Sequence, residues 1–317
     1  MEVDVLGGGF ERMSLPMGFD DEGEVVATLV RRRCPRPTAR AVLYLHGYID
    51  YFFQTGLAEQ YIDHGYNFYA LDLRKYGRSL LPHQTPYFCR DIREYFPEID
   101  TAIDLIRREE GNDRLLLNGH STGGLIASLY AHAHRGRGTI DALFLNSPFF
   151  QFPGSWLSRD VLLPVVRSIG AVAPYRVIPR GLSDLYGRSV HRDHRGEWDY
   201  DLTWKPIAGV PLLAGWVRAI ALAQQRLLAG LDIACPVLVM CSTESSNPKV
   251  WDDVLLRTDS VLDVTDISRL ADRLGDIVTR IRIDGGMHDL VLSAAPVREG
   301  VYRALFTWTD AYLPARS

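Results

Sequence analysis

Leu115-Leu116-Leu117-Asn118-Gly119-His120-Ser121-Thr122-Gly123-Gly124 joins an apolar run to a G-x-S-x-G pattern, and the helical stretch Leu125 to Ala133 follows at once. A serine at so sharp a strand-to-helix turn takes a strained backbone conformation that lifts its hydroxyl clear of the sheet edge. Gly119 and Gly123 supply the clearance. The helix turns its N-terminal N–H groups and the positive end of its dipole towards the serine, which favours negative charge where an oxyanion would form. With only three fixed positions, the pattern also fits a plain glycine-rich turn in which a hydroxyl caps a helix. The rest of the chain has to decide between the two.

Around this stretch, apolar β-type runs alternate with helical ones. Glu24 to Arg33, Ala41 to Leu45, Asn67 to Leu71, Leu115 to Asn118, Ala142 to Leu145, Pro236 to Met240 and Val278 to Ile283 read as strands. Leu57 to His64, Tyr95 to Glu110 and Leu125 to Ala133 have helical spacing and serve as right-handed crossovers. The order predicts an α/β protein with a largely parallel sheet covered on both faces. Pro148 to Asp232 breaks the rhythm with prolines, aromatic residues and short helical patches, and it carries Trp156, Trp198, Trp204 and Trp216. It reads as an inserted, mainly helical cap over 148–232, between core segments 1–147 and 233–317. Its aromatic surface suits an apolar substrate, or else forms the cap's own small core.

At 317 residues and 47% hydrophobic content, the chain can bury one large core. A formal net charge of −4 gives no basic excess for nucleic acid and no polybasic segment for an anionic membrane. Met1-Glu2-Val3-Asp4 is acidic, and no run of about 18 uncharged apolar residues occurs, so a cytoplasmic protein without a membrane span is expected. Cys34, Cys89, Cys235 and Cys241 lack metal-ligand spacing and are expected to be reduced and mostly buried. His191-x-x-His194 with Asp193, and His132 with His134, lack a third or fourth ligand at supporting spacing, so no metal is expected. Arg31-Arg32-Arg33 reads as the solvated end of a strand, and Gly7-Gly8-Gly9 as a flexible terminus.

Four segments together resemble the α/β-hydrolase serine hydrolases that include monoacylglycerol lipases and lysophospholipases. They are the Gly119 to Gly123 elbow, Leu45-His46-Gly47-Tyr48-Ile49-Asp50 at a strand end, Leu71-Asp72-Leu73-Arg74-Lys75-Tyr76-Gly77-Arg78-Ser79, and Asp284-Gly285-Gly286-Met287-His288-Asp289. These match that group's H-G oxyanion loop, its D-x-x-G-x-G-x-S segment and its G-x-x-H-E/D, with Tyr76 a departure from the usual small or polar residue. The resemblance covers the chain except the cap and implies a central parallel sheet with an inserted helical cap. It also implies an ester substrate with an apolar acyl chain and no cofactor.

Acyl transfer needs a serine activated by an imidazole, which a carboxylate in turn orients. Ser121 is the candidate nucleophile and His288, in a glycine-rich loop after the last strand, the candidate base. His46 and His120 sit beside glycine turns and are expected to bond locally. The acid is open between Asp259, in Thr258-Asp259-Ser260-Val261-Leu262-Asp263, and Glu244, nearer the end of the preceding strand. Asp259 is preferred because the family-like sequence runs unbroken from it to His288. Asp263 would help shape the acid loop, with Asp252 and Asp253 solvated helix charges. In this fold the oxyanion hole takes backbone N–H groups, here from Tyr48 and Thr122. The reading is a carboxylic ester hydrolase acting on a monoacylglycerol, lysophospholipid or similar medium-chain ester. The same triad serves amidases, peptidases, thioesterases and carbon–carbon bond hydrolases, and a ligand-binding or partner-binding protein on this fold is the alternative of another class.

Overall fold

The computed structural model describes residues 1–109, 111–154, 162–179 and 183–314. Among them, nine strands form one sheet: β1 (Glu2–Val3), β2 (Glu11–Asp20), β3 (Gly23–Arg32), β4 (Arg40–Leu45), β5 (Asn67–Asp72), β6 (Arg114–His120), β7 (Ala142–Asn146), β8 (Val237–Ser242) and β9 (Val278–Ile283). Their order across the sheet is β1-β2-β3-β5-β4-β6-β7-β8-β9. The first three strands pair antiparallel and β3 meets β5 antiparallel, while every pair from β5 to β9 is parallel.

Parallel strands need covered faces, and the central ones are apolar almost throughout because both of their sides are buried. Successive side chains point to opposite faces. Leu43, Leu45, Leu115, Leu117, Leu143 and Leu145 therefore enter one core, and Val42, Tyr44, Leu116, Phe144, Leu238 and Met240 the other. Helix α1 (Thr55–Asp63), between β4 and β5, lies on the second face. The first face is covered by α2 (Phe96–Asp104), which continues as a π-helical turn through Leu105–Glu109, and by α3 (Thr122–Ala133). Glu110, at the end of the expected helix, lies outside the described residues. Each fully buried Leu or Phe in these cores contributes about 1.5–3 kcal/mol of transfer free energy.

Between β7 and β8 the chain forms α4 (Leu163–Val172), α5 (Leu185–Val190) and α6 (Ala214–Leu228). The described part of 148–232 adds no strand to the sheet, only bridges between Val177 and Leu213 and between His191 and Trp198. Helix α6 sends Trp216, Ile220, Ala223 and Leu227 into the same core as α3 and the first face of the sheet. Trp156 lies outside the described residues. After β8 come α7 (Val264–Leu270), β9 and finally α8 (Ala295–Tyr312), which joins α1 on the second face. No described helix is long and apolar enough to cross a membrane.

Two expectations at the N-terminal end need correcting, the second at one residue only. Gly7, Gly8 and Gly9 are not a loose terminus: they hold positive φ in the turn that leads β1 into β2. The turn closes with Asp4 accepting from and donating to its neighbours, including its N–H to the Phe10 carbonyl at 2.9 Å. Of Arg31-Arg32-Arg33 at the end of β3, only Arg31 departs from the expected solvation: it is 9% exposed and pairs with Glu11 of β2 at 2.8 Å, while Arg32 is half-buried and Arg33 exposed. All four cysteines are free thiols, with Cys89 and Cys241 buried and Cys34 and Cys235 half-buried.

Candidate active site

Ser121 falls between the last residue of β6 and the first of α3, at φ 53° and ψ −117°. That is a left-handed φ on a residue with a Cβ, a strain of on the order of 1–3 kcal/mol that surrounding contacts must hold. The Ser121 N–H donates to the Asn146 carbonyl at 3.0 Å, and its own carbonyl accepts from Gly124 and Phe149 at 3.0 and 2.9 Å. The two elbow glycines are sterically required. A Cβ on Gly119 would stand 2.6 Å from the Gly123 carbonyl oxygen, and one on Gly123 would stand 2.4 Å from the carbonyl oxygens of both Leu45 and His46.

The loop after β9 carries His288 to this serine. His288 Nε2 lies 3.0 Å from Ser121 Oγ, and His288 Nδ1 lies 2.9 Å from Asp259 Oδ2. The second oxygen of Asp259 accepts the N–H groups of Val261 and Leu262 at 2.9 and 2.8 Å, so the carboxylate is fixed in direction and fully buried. The geometry lets Nε2 take a proton from the hydroxyl while the carboxylate stabilises the tautomer carrying its proton on Nδ1. Tyr186 of α5 lays its ring edge against the imidazole, with centroids 5.5 Å apart.

Of the two acids read from the sequence, only Asp259 reaches His288. The exposed Glu244 contributes its main chain: its carbonyl accepts the Asp259 N–H at 2.9 Å. A bridge between Ser245 and Asp259 folds the long loop after β8 back along the strand end. Asp263 and Asp252 cap the helical turns that follow them, accepting from Thr265 and Val254 at 2.9 Å each. Asp253 accepts from the Trp251 indole at 3.0 Å.

The two other histidines are buried and bonded locally. His46 Nδ1–H donates to the Gly47 carbonyl at 2.8 Å and its Nε2 accepts the Leu73 N–H at 3.1 Å, a pattern that fixes a neutral imidazole. His120 Nδ1 lies 3.2 Å from the Asn146 carbonyl. Burial holds both below the ordinary histidine value, against nearby carboxylates that raise it: Asp72 and Asp50 for His46, Asp289 for His120.

The loop after β4 passes directly over Ser121: a Cβ on Gly47 would meet Ser121 Cβ at 3.2 Å. Tyr48 follows Gly47 in this loop, and Thr122 follows Ser121 as the first residue of α3. The Tyr48 ring stacks on Trp216 of α6 at 3.8 Å, with Phe152 edge-on to the same indole. Asp72, on the neighbouring β5, accepts from Phe52 N–H at 3.0 Å and from Arg78 Nη1 at 2.8 Å, tying the loop after β4 to the Asp72 to Ser79 segment.

Sequence reasoning assigns no role to Asn146, Gln54 or Lys205. Asn146 Nδ2 and Gln54 Nε2 donate to the two oxygens of Asp289 at 2.7 and 3.1 Å. Lys205 pairs with Asp50 at 2.7 Å. A usable signal existed for the last: the chain has 35 basic residues but only three lysines, at 75, 205 and 249, of which Lys75 is a buried and Lys205 a half-buried ion-pair partner.

Residues 36–293 match the family described as serine aminopeptidase, S33, a span that holds the elbow, the acid loop and His288. Solved structures agree over nearly the whole chain. A soluble variant of monoglyceride lipase from Saccharomyces cerevisiae, in complex with a substrate analog, superposes with a TM-score of 0.71 at 15% identity, covering 95% of each chain. A carboxyl esterase from Bacillus coagulans bound to glycerol gives 0.67 at 14%, covering 96% of this chain and 99% of its own. The monoacylglycerol lipase of Paleococcus ferrophilus gives 0.63 at 18%, with the same coverage. At such identities the likeness establishes the α/β-hydrolase fold.

Proposed function

The chain belongs to the hydrolase family described as serine aminopeptidase, S33, and from that premise we propose that it cleaves carboxylic esters through an acyl-enzyme on Ser121. The carrying observation is the continuous buried chain from Ser121 Oγ through His288 to Asp259, at 3.0 and 2.9 Å. In this mechanism Ser121 Oγ attacks the ester carbonyl as its proton passes to His288 Nε2. The tetrahedral oxyanion is held by the N–H groups of Tyr48 and Thr122, and collapse expels the alcohol, which takes the proton from His288. Water then enters by the same route in reverse and releases the acid. Asp259 stays ionised and orients the imidazole throughout. The route uses no metal or cofactor.

The substrate class we favour is a monoacylglycerol, lysophospholipid or similar medium-chain ester. Support comes from the aromatic cluster of Tyr48, Trp216 and Phe152, whose Tyr48 follows the Gly47 that packs on Ser121 and which suits an apolar acyl chain, and from the lipase and esterase neighbours. The segment 148–232 acts as the cap that excludes water from the reaction. Amide cleavage is the second reading, because the family's description names an aminopeptidase.

The deciding experiment offers p-nitrophenyl esters from acetate to palmitate and a set of aminoacyl p-nitroanilides to the wild type and to Ser121→Ala. A fluorophosphonate probe with mass mapping of the adduct runs alongside. Ester turnover with an optimum at medium chain length, lost in Ser121→Ala, together with a label on Ser121, is the expected result. Preference for the anilides would move the assignment to a peptidase, and a folded protein with neither label nor turnover would end the hydrolase reading.

A further inference from the structure

The loop over the nucleophile is held from outside by the segment that connects α5 to α6. Lys205 Nζ lies 2.7 Å from Asp50 Oδ1, with side-chain exposures of 11% and 2%. The other Asp50 oxygen accepts the Gly47 N–H at 3.4 Å. Gly47 immediately precedes Tyr48, and its Cα side faces Ser121. Between Tyr48 and Asp50, Ile49 holds φ 51°, a left-handed value that a β-branched residue adopts only where its surroundings impose it.

The contact is part of a docked strap. The Asp201 N–H donates to the Tyr51 hydroxyl at 2.7 Å, and Trp204 sits edge-on to the Tyr51 ring at 5.2 Å. The Tyr87 hydroxyl donates to the Trp204 carbonyl at 3.3 Å. The Lys205 ammonium also lies over the rings of Phe53 and Tyr200, at 5.6 and 5.7 Å. Burial alone would drive the Asp50 carboxyl up, but the Lys205 ammonium holds it below its ordinary value and keeps it a strong acceptor. A buried carboxylate left without its cation is costly and relaxes by protonating or moving. Either change frees the Gly47 N–H and leaves the residue held through its carbonyl by His46 alone.

We propose that Lys205 is a positioning residue for hydrolysis: through Asp50 it holds the Gly47 N–H, one peptide before the Tyr48 N–H, and together with the His46 bond to the Gly47 carbonyl this aims the Tyr48 N–H at the developing oxyanion. The inference rests on the acyl-enzyme reading of Ser121, and it makes turnover depend on whether the 200–205 strap is seated. An oxyanion donor is worth roughly a hundred- to a thousandfold in turnover, so a misdirected one should cost part of that.

The test uses the full chain and begins with fluorophosphonate labelling of the wild type; failure to label Ser121 would remove the hydrolase reading and this inference with it. On a labelled enzyme, Lys205→Met should lower kcat by about 10- to 100-fold with KM changed less than about threefold. Affinity for an alkyl boronic acid, which forms a tetrahedral adduct on the serine, should fall by the same factor as kcat, which a merely structural defect does not require. The double variant Asp50→Asn with Lys205→Met removes the stranded charge while keeping an acceptor for Gly47. It should recover at least about threefold of the lost kcat, and it carries the boronate comparison if the single variant does not fold. A kcat within threefold of wild type, boronate affinity that does not follow kcat, or a double variant no better than Lys205→Met would each overturn the proposal.

Discussion

The side-chain amide of Asn146 donates to Asp289 Oδ1 at 2.7 Å while the main-chain carbonyl of the same residue accepts the Ser121 N–H at 3.0 Å. One residue at the end of β7 therefore grips both the elbow and the loop that carries His288, and its Oδ1 also accepts the Leu290 N–H at 3.3 Å. All the groups involved are buried. Asn146→Asp replaces a donor with a second carboxylate facing Asp289 and should cost about 3 kcal/mol or more of stability, with Asn146→Ala costing somewhat less. Urea unfolding of both variants checks this, and a loss below about 1 kcal/mol for Asn146→Asp would remove Asn146 from the framework of the site.

The acid assignment rests on geometry: Asp259 lies 2.9 Å from His288 Nδ1, whereas the Glu244 side chain is exposed. Asp259→Asn keeps the shape of the loop and still accepts from Val261 and Leu262, yet loses the charge beside His288 Nδ1. The expected loss in kcat is about a thousand- to ten-thousandfold with the unfolding midpoint little changed. Glu244→Gln should stay within about twofold of wild type, since that residue supports Asp259 through its main-chain carbonyl. Steady-state ester hydrolysis by the two variants side by side decides the matter; a large loss in Glu244→Gln would reverse the assignment.

Much of this arrangement was legible in the chain because buried parallel strands are nearly continuous apolar runs and the elbow glycines mark where two backbones touch. The β4, β6, β7 and β8 runs needed no tertiary knowledge. Strand β2 was not legible, because it lies near the sheet edge, is mostly half-buried or exposed and carries Pro16 and Gly18, so neither an apolar run nor a clean alternation appears. Missing it made Arg31 look solvated, since its partner Glu11 lies on that strand. The acid stayed open for a similar reason: spacing from the end of β8 favours Glu244, and only the bridge between Ser245 and Asp259 folds the later carboxylate into place. The supports contributed by Asn146, Gln54 and Lys205 are pairings between residues far apart in sequence, which local patterns do not encode.

Glycines divide sharply by what a methyl group would meet. Gly123→Ala would set its Cβ 2.4 Å from two backbone carbonyl oxygens, against which nothing flexible can yield, and should destabilise the chain by more than about 3 kcal/mol or prevent folding. Gly56, inside α1, has open space around its Cβ position and no left-handed φ, so Gly56→Ala should raise stability by about 0.5–1 kcal/mol. Thermal unfolding of the two variants reads the contrast directly. A tolerated Gly123→Ala would mean the elbow does not press against the loop after β4.

Buried neutral histidines also tie stability to pH. His46 and His120 titrate below the ordinary value near 6.5, burial being the main cause. As pH falls below about 6.5 the unfolded chain binds protons that the folded chain refuses, so the unfolded state gains and stability drops; above that value both forms are neutral and the term vanishes. The urea midpoint should therefore fall from pH 7.5 towards pH 5. His46→Gln, which lacks a titrating ring, should be less stable at neutral pH through its lost bonds to Gly47 and Leu73, yet decline less steeply with acid. Equal slopes in the two proteins would show that His46 is protonated as readily in the fold as outside it.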